Sequence, residues 1–311
     1  MIMLTIFTLI IVALIGGALS KAGVVPTTVK DLLQKYVYYF AAPVAVIYAI
    51  GTNDFSSSSR YIKFLAVNVL TYLVFFLVTY LALKKKKVQR KIAGVIAFSS
   101  NAPNTVFLGF PLVLAVFGQE AFVYVVLLGS LSDALLNAVR LFMLHKYKTS
   151  SLRRSKHTRP QLFGVVKGVV VNSFFIALIV GCVLNYFKVL IPQSLYYVGL
   201  SASYAALLAL GLSVGHLKIN KADYGEIILT SGLKLAALPL FVLVPAQFLL
   251  DTTARNVSVF VAALPTAVLS LIVAQNLKFD EKLAPSIILA TTALSVVSLS
   301  GWYVVLKLIL V

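Results

Sequence analysis

The chain has 311 residues, 60% of them apolar and 12% charged, with a mean hydropathy of +0.99. Soluble domains average about 45–50% apolar and about 25% charged residues, so this composition excludes a soluble enzyme or nucleic-acid-binding domain and describes a protein of the lipid bilayer. The 27 Lys and Arg against 9 Asp and Glu, a formal +18, fit the collection of basic residues in cytoplasmic loops and predict no nucleic-acid partner.

A spanning helix needs about 20 mostly apolar residues. Ten segments meet that rule: residues 1–20, 33–51, 61–83, 92–118, 121–145, 165–187, 195–216, 226–248, 257–276 and 283–308. No basic residue precedes the first of them and Lys21 follows it, which reads as a span with an external N-terminus rather than a signal peptide. In alternate loops, 20 Lys and Arg fall on one side and 5 on the other, leaving Arg140 and Lys234 inside spans. That asymmetry predicts a cell-membrane protein with both termini outside. For the run Lys84–Lys87, topology alone is a sufficient explanation; binding of acidic lipid heads is the alternative.

The basic linker 146–164 divides the spans five and five, into 1–145 and 165–311. Five is odd, so the second set enters the membrane in the opposite sense. The expected fold is an all-α membrane protein of ten transmembrane helices in two inverted five-helix repeats.

Within the fourth span, residues 96–112 carry Asn101, Pro103, Asn104, Thr105, Gly109 and Pro111. An uninterrupted span would hold leucine and valine there, so the helix is expected to break near Pro103. A shift of 162 residues carries Pro103 onto Pro265, in the middle of the ninth span. Interrupted spans at corresponding positions of two halves point to a transporter's binding site. Proline lacks an amide donor and costs about 3 kcal/mol in a helix interior. Asn101, Asn104, Thr105 and Thr266 are suited to compensate, and Asn and Thr are good N-caps for the half-helix after each break. Two half-helix N-termini would then face each other near the midplane, each with roughly half a positive charge and free N–H groups. An anion is the natural guest. Simple kinks in two packed helices are the competing account.

Ionisable residues in a span face a partner or a cavity. Asp133 in the fifth span could carry a coupling proton, and Asn137, one turn on, could share its cavity. Lys234 in the eighth could add positive charge for an anion or hold the broken ends together. Either could equally be a structural charge. Asn172 in the sixth span is a lone amide suited to interhelical hydrogen bonding. Neither the three histidines nor Cys182 form a metal-ligand or disulfide pattern, and no hydrolase, phosphate-loop or metalloprotease signature occurs. No cofactor, metal or catalytic residue is predicted.

At these residues the chain resembles the auxin efflux carrier family. The resemblance rests on Pro103-Asn104-Thr105 followed by Gly109-Phe110-Pro111-Leu112, and on Ala263-Leu264-Pro265. It extends to Lys234-Leu235 before Pro239 and to Asn172, and covers essentially the whole chain. It implies a fold like the bile-acid symporters and sodium/proton antiporters, with the fourth and ninth helices broken and crossed at the substrate site. It also implies a scaffold from spans one, two, six and seven, a moving transport domain from spans three to five and eight to ten, and a homodimer through the scaffold. Substrates would be small organic anions such as auxin-like acids or dicarboxylates. Asn104 would contact the carboxylate, with Asn172 facing it. The central loop is shorter than in long plant members. Asn172 is followed by Ser173 where the family often has proline, and Thr266-Ala267-Val268 stands where plant carriers have Gln-Gly. These departures favour a prokaryotic-type organic-anion carrier over an auxin carrier proper. A cation-coupled symporter or antiporter using Asp133 is the second expectation, and a membrane receptor without transport the third.

Overall fold

The computed structural model describes residues 2–55, 58–132, 172–215, 223–268, 270–271, 274 and 283–308. These residues form helices, joined at one point by an isolated antiparallel backbone bridge. In chain order the helices are α1 (Ile2–Lys21), α2 (Thr27–Tyr36), α3 (Ala42–Gly51), α4 (Ser58–Lys85), α5 (Arg90–Ser99), α6 (Phe110–Leu127), α7 (Ser173–Tyr186), α8 (Ser194–Gly215), α9 (Tyr224–Gly232), α10 (Leu238–Leu249), α11 (Thr252–Ala262) and α12 (Leu283–Leu308). Single π-helical turns at Val37–Ala41, Thr105–Gly109, Leu128–Ser132 and Leu233–Ala237 run into or out of them. Five described stretches are long and apolar enough to cross a membrane: Ser58–Lys85, Thr105–Ser130, Ser194–Ser213, Tyr224–Leu249 and Leu283–Leu308.

One of the five is folded back on itself. Inside Thr105–Ser130, Gly118 has φ +82° and ψ −173°, a conformation open to glycine and strained for other residues. The Phe110 and Phe122 rings meet edge to face at 5.5 Å, whereas twelve residues of straight helix rise about 18 Å. A Cβ on Gly109 would lie 3.4 Å from Val125, and one on Gly129 would lie 3.4 Å from Thr105. The chain therefore turns at Gly118, where the sequence placed the end of its fourth span, and the two arms pack antiparallel.

Prolines follow three of the π-turns, and two show how the lost amide is compensated. Pro43 comes five residues after Tyr38, whose carbonyl takes the Ser173 hydroxyl at 2.9 Å. Pro239 comes four after Leu235, whose carbonyl takes Ser298 Oγ at 3.0 Å and Trp302 Nε1 at 2.9 Å. In each case a neighbouring helix supplies the donor that proline removed, as hydrocarbon requires.

The helices pack as two groups. In one, α1 lies along α8, α3 lies against α7 and α8, and α2 completes the cluster. Gly16 permits the α1–α8 approach, since a Cβ there would sit 2.6 Å from the Leu208 carbonyl. In the other, α10 packs on α4 and α11, α9 on α12, and α5 on α4 and α12. The Gly118 hairpin lies between them, touching α1, α3 and α8 on one side and α11 and α4 on the other.

At one end of the first group Asn185 Nδ2 donates to the carbonyls of Ile50, Gly51 and Asn53 at 3.2, 3.0 and 2.7 Å, closing the C-terminus of α3 from α7. Asn185→Leu should cost about 1 kcal/mol, the loss of a donor shared by three half-buried carbonyls, read as a lower melting temperature in detergent.

Both α4 and α7 end in a turn whose closing residue is left-handed. Val88 N–H reaches Leu83 O and Lys87 N–H reaches Lys84 O; Val189 N–H reaches Leu184 O and Lys188 N–H reaches Asn185 O. The left-handed residues are Lys87 (φ 57°) and Lys188 (φ 51°), where such motifs ordinarily take glycine. Lys87→Gly and Lys188→Gly should each raise unfolding stability by about 1 kcal/mol by relieving that strain.

Candidate functional site

The two predicted breaks meet. Helix α5 ends at Ser99 and α11 at Ala262, and the extended residues that follow pair as an antiparallel bridge with Pro103 opposite Thr266. Asn104 N–H donates to Pro265 O at 2.9 Å, and Ala267 N–H to Ala102 O at 2.8 Å. Pro103 lies between these bonds, at the non-hydrogen-bonded position where no N–H is needed. The two bonds exchange under a shift of 163 residues, from 102 to 265 and from 104 to 267, one more than the shift relating the prolines.

Each broken helix has its last carbonyl closed by another segment. Thr266 Oγ1 donates to Ser99 O at 2.9 Å, and Lys234 Nζ to Ala262 O at 2.6 Å. The negative end of α11 thus receives a cation, the favourable sign for a helix C-terminus. The remaining groups are anchored too. Asn101 Nδ2 donates to Tyr72 O at 2.8 Å, and Thr266 N–H to Thr291 Oγ1 at 3.2 Å, while that hydroxyl donates onward to Ile287 O at 2.8 Å. Asn101, Thr266 and Lys234 are fully buried.

Asn104 is different. It holds the N-cap position of the π-turn Thr105–Gly109 with φ −81° and ψ 64°, but its side chain makes no capping bond. Its backbone carbonyl instead takes the N–H groups of Leu108 and Gly109 at 3.1 and 3.0 Å, which corrects the expectation of side-chain capping. Thr105 Oγ1 reaches back to Pro103 O at 3.4 Å and does not cap either. Asn104 is 3% exposed, and its Nδ2 has no hydrogen-bond partner among the described residues. A buried donor of this kind costs roughly 1–3 kcal/mol, and it stands at the positive end of a half-helix.

The chain matches the membrane transport protein family over residues 1–303. It belongs to that family, which includes the auxin efflux carriers. An uncharacterized transporter of Methanocaldococcus jannaschii is 27% identical over 320 residues, covering 97% of this chain and 99% of its own. An uncharacterized transporter of Methanothermobacter thermautotrophicus is 24% identical over 308 residues, covering 97% of each chain. The match to a membrane transport family agrees with the apolar spans and with the expectation that the chain is no enzyme.

The other residues expected in the site of this family member are placed separately. Asn172 is the N-cap of α7, its side-chain oxygen accepting from Phe174 N–H at 2.9 Å. Phe174 meets Tyr38 edge to face at 5.0 Å and Phe110 at 6.2 Å, so the start of α7 abuts the helix that follows the first break. Asp133 and Asn137 lie outside the described residues. Thr291, which holds the Thr266 amide, is not marked by the sequence, because a hydroxyl in an apolar span carries no signal of its own. Between the first group and the Gly118 hairpin, Ala45, Tyr48, Leu114, Gln119, Tyr196 and Gly199 line a cavity of about 20 Å³, room for about one water.

Proposed function

We propose that the chain is a secondary transporter of carboxylate anions, with the substrate held at the helix crossing beside Asn104. The carrying observation is the Asn104 amide: a buried donor without a partner among the described residues, at a half-helix N-terminus that the Asn104 side chain does not cap. A carboxylate oxygen would satisfy Nδ2 and lie in the positive field of that turn. Pro103, Thr105, Pro265 and Thr266 shape the site, and Lys234, engaged with Ala262, holds one broken end.

The ten spans act as two inverted repeats in this reading. The group containing α1, α2, α3, α7 and α8 is the scaffold, and the group around α4, α5 and α9–α12, with the Gly118 hairpin, is the transport domain. Support comes from the two-group packing and from the exchange of bridge bonds between the halves. In this reading the substrate reaches the crossing when the two groups part, which is alternating access. The protein sits in the cell membrane with both termini outside.

The test is flux. Purified protein in liposomes is loaded with labelled indole-3-acetate, malate and related acids, with sodium and proton gradients imposed separately. At least one acid should cross faster than in empty liposomes. If none does, in either direction and under any gradient, the reading is wrong.

A further inference from the structure

We propose that the lysine turn after α4 binds acidic phospholipid headgroups. On α4, Leu70, Val74, Val78 and Leu81 are 61%, 45%, 56% and 53% exposed. Their spacing of four, four and three residues draws one continuous stripe along a helix, the stripe that faces lipid in a membrane-spanning element. The next position on it, four residues on, is Lys85. Helix α4 has 28 residues, about 42 Å at 1.5 Å per residue, so its last turn emerges from a hydrocarbon core about 30 Å thick at headgroup level.

Lys85, Lys86, Lys87 and Lys91 are exposed there. Lys84 and Arg90 have interactions of their own and are not needed. The turn is fixed rather than loose: Val88 N–H closes on Leu83 O, and both side chains pack into the apolar core around Phe76 and Ile96. Between Asp54 and Glu120 the chain has no carboxylate at all, so neither α4 nor α5 supplies a counter-ion. Cytoplasmic topology accounts for the lysines being basic. It does not account for Lys85 continuing the lipid-facing stripe. A phosphate in the bilayer plane does, since juxtamembrane lysines draw acidic lipid by about fivefold each.

The experiment places the full-length chain in nanodiscs of phosphatidylcholine with and without phosphatidylglycerol. It reads the lipid retained on gentle detergent extraction by native mass spectrometry, and the melting temperature. Wild type should retain phosphatidylglycerol preferentially and melt higher in its presence. The K85Q/K86Q/K87Q/K91Q variant should lose that preference by about fivefold per lysine while melting like wild type in phosphatidylcholine alone. The K85R/K86R/K87R/K91R variant should keep it, and high salt should abolish it in wild type, which decides the matter should the glutamine variant fail to fold. Glycerol phosphate tests the headgroup without acyl chains: an equal shift would make the ligand a soluble phosphate and overturn the membrane reading. Undiminished preference in the glutamine variant, no preference in wild type, or an equal loss on neutralising Lys21, Lys30 and Lys35 would each overturn the proposal.

Discussion

Asn104→Ala should lower carboxylate transport and binding by about 10- to 150-fold while leaving the protein at least as stable as wild type. The first half follows from the size of a hydrogen bond to a charged group, about 1.5–3 kcal/mol, where each 1.4 kcal/mol is about tenfold in affinity. The second follows from the structure: Nδ2 has no partner to lose among the described residues, and the backbone carbonyl and amide of residue 104, which hold the turn and the bridge, survive the substitution. A structural asparagine behaves in the opposite way, with melting temperature and transport falling together. Flux in liposomes and a melting curve on the same preparation separate the two. Equal transport by wild type and variant would remove Asn104 from the site.

Lys234→Met should lower the melting temperature sharply, the equivalent of about 1.5–3 kcal/mol for a hydrogen bond involving a charged group, and abolish transport with it. Methionine keeps much of the volume but removes the donor, stranding the Ala262 carbonyl at the end of α11, in a completely buried place. If Lys234 instead lent its charge mainly to a substrate, the variant would melt near wild type and show its defect as weakened binding alone. The two outcomes differ in kind: loss of fold and flux together, or loss of affinity at constant stability. Adding the substrate during the melt sharpens the comparison, because a ligand that binds only the folded state raises the apparent stability.

The five described membrane-length stretches are legible because hydropathy and length are local. Residues 283–308 were delimited as the structure has them, and 61–83 lies within α4. The breaks at Pro103 and Pro265 were legible for the same reason, proline acting on its own turn. What the side chains bond to was not. Asn104 and Asn172 both precede helical turns, yet only Asn172 caps with its side chain, a difference set by backbone angles that composition does not record. That Lys234 reaches Ala262, Thr266 reaches Ser99 and Trp302 reaches Leu235 depends on how distant helices are rotated. The hairpin at Gly118 was readable as a loop between spans, but its tightness shows only in the Phe110–Phe122 contact.

The bridge between the breaks makes the halves interdependent in folding. Cut at the basic linker, the first half would carry Ala102 O and Asn104 N–H, and the second Pro265 O and Ala267 N–H, with no mate for any of them in hydrocarbon. Each half completes the other's backbone, so the linker marks a boundary in the sequence and not one between independently folding units; the bridge closes only when the stretch carrying Pro265 has been inserted beside the one carrying Pro103.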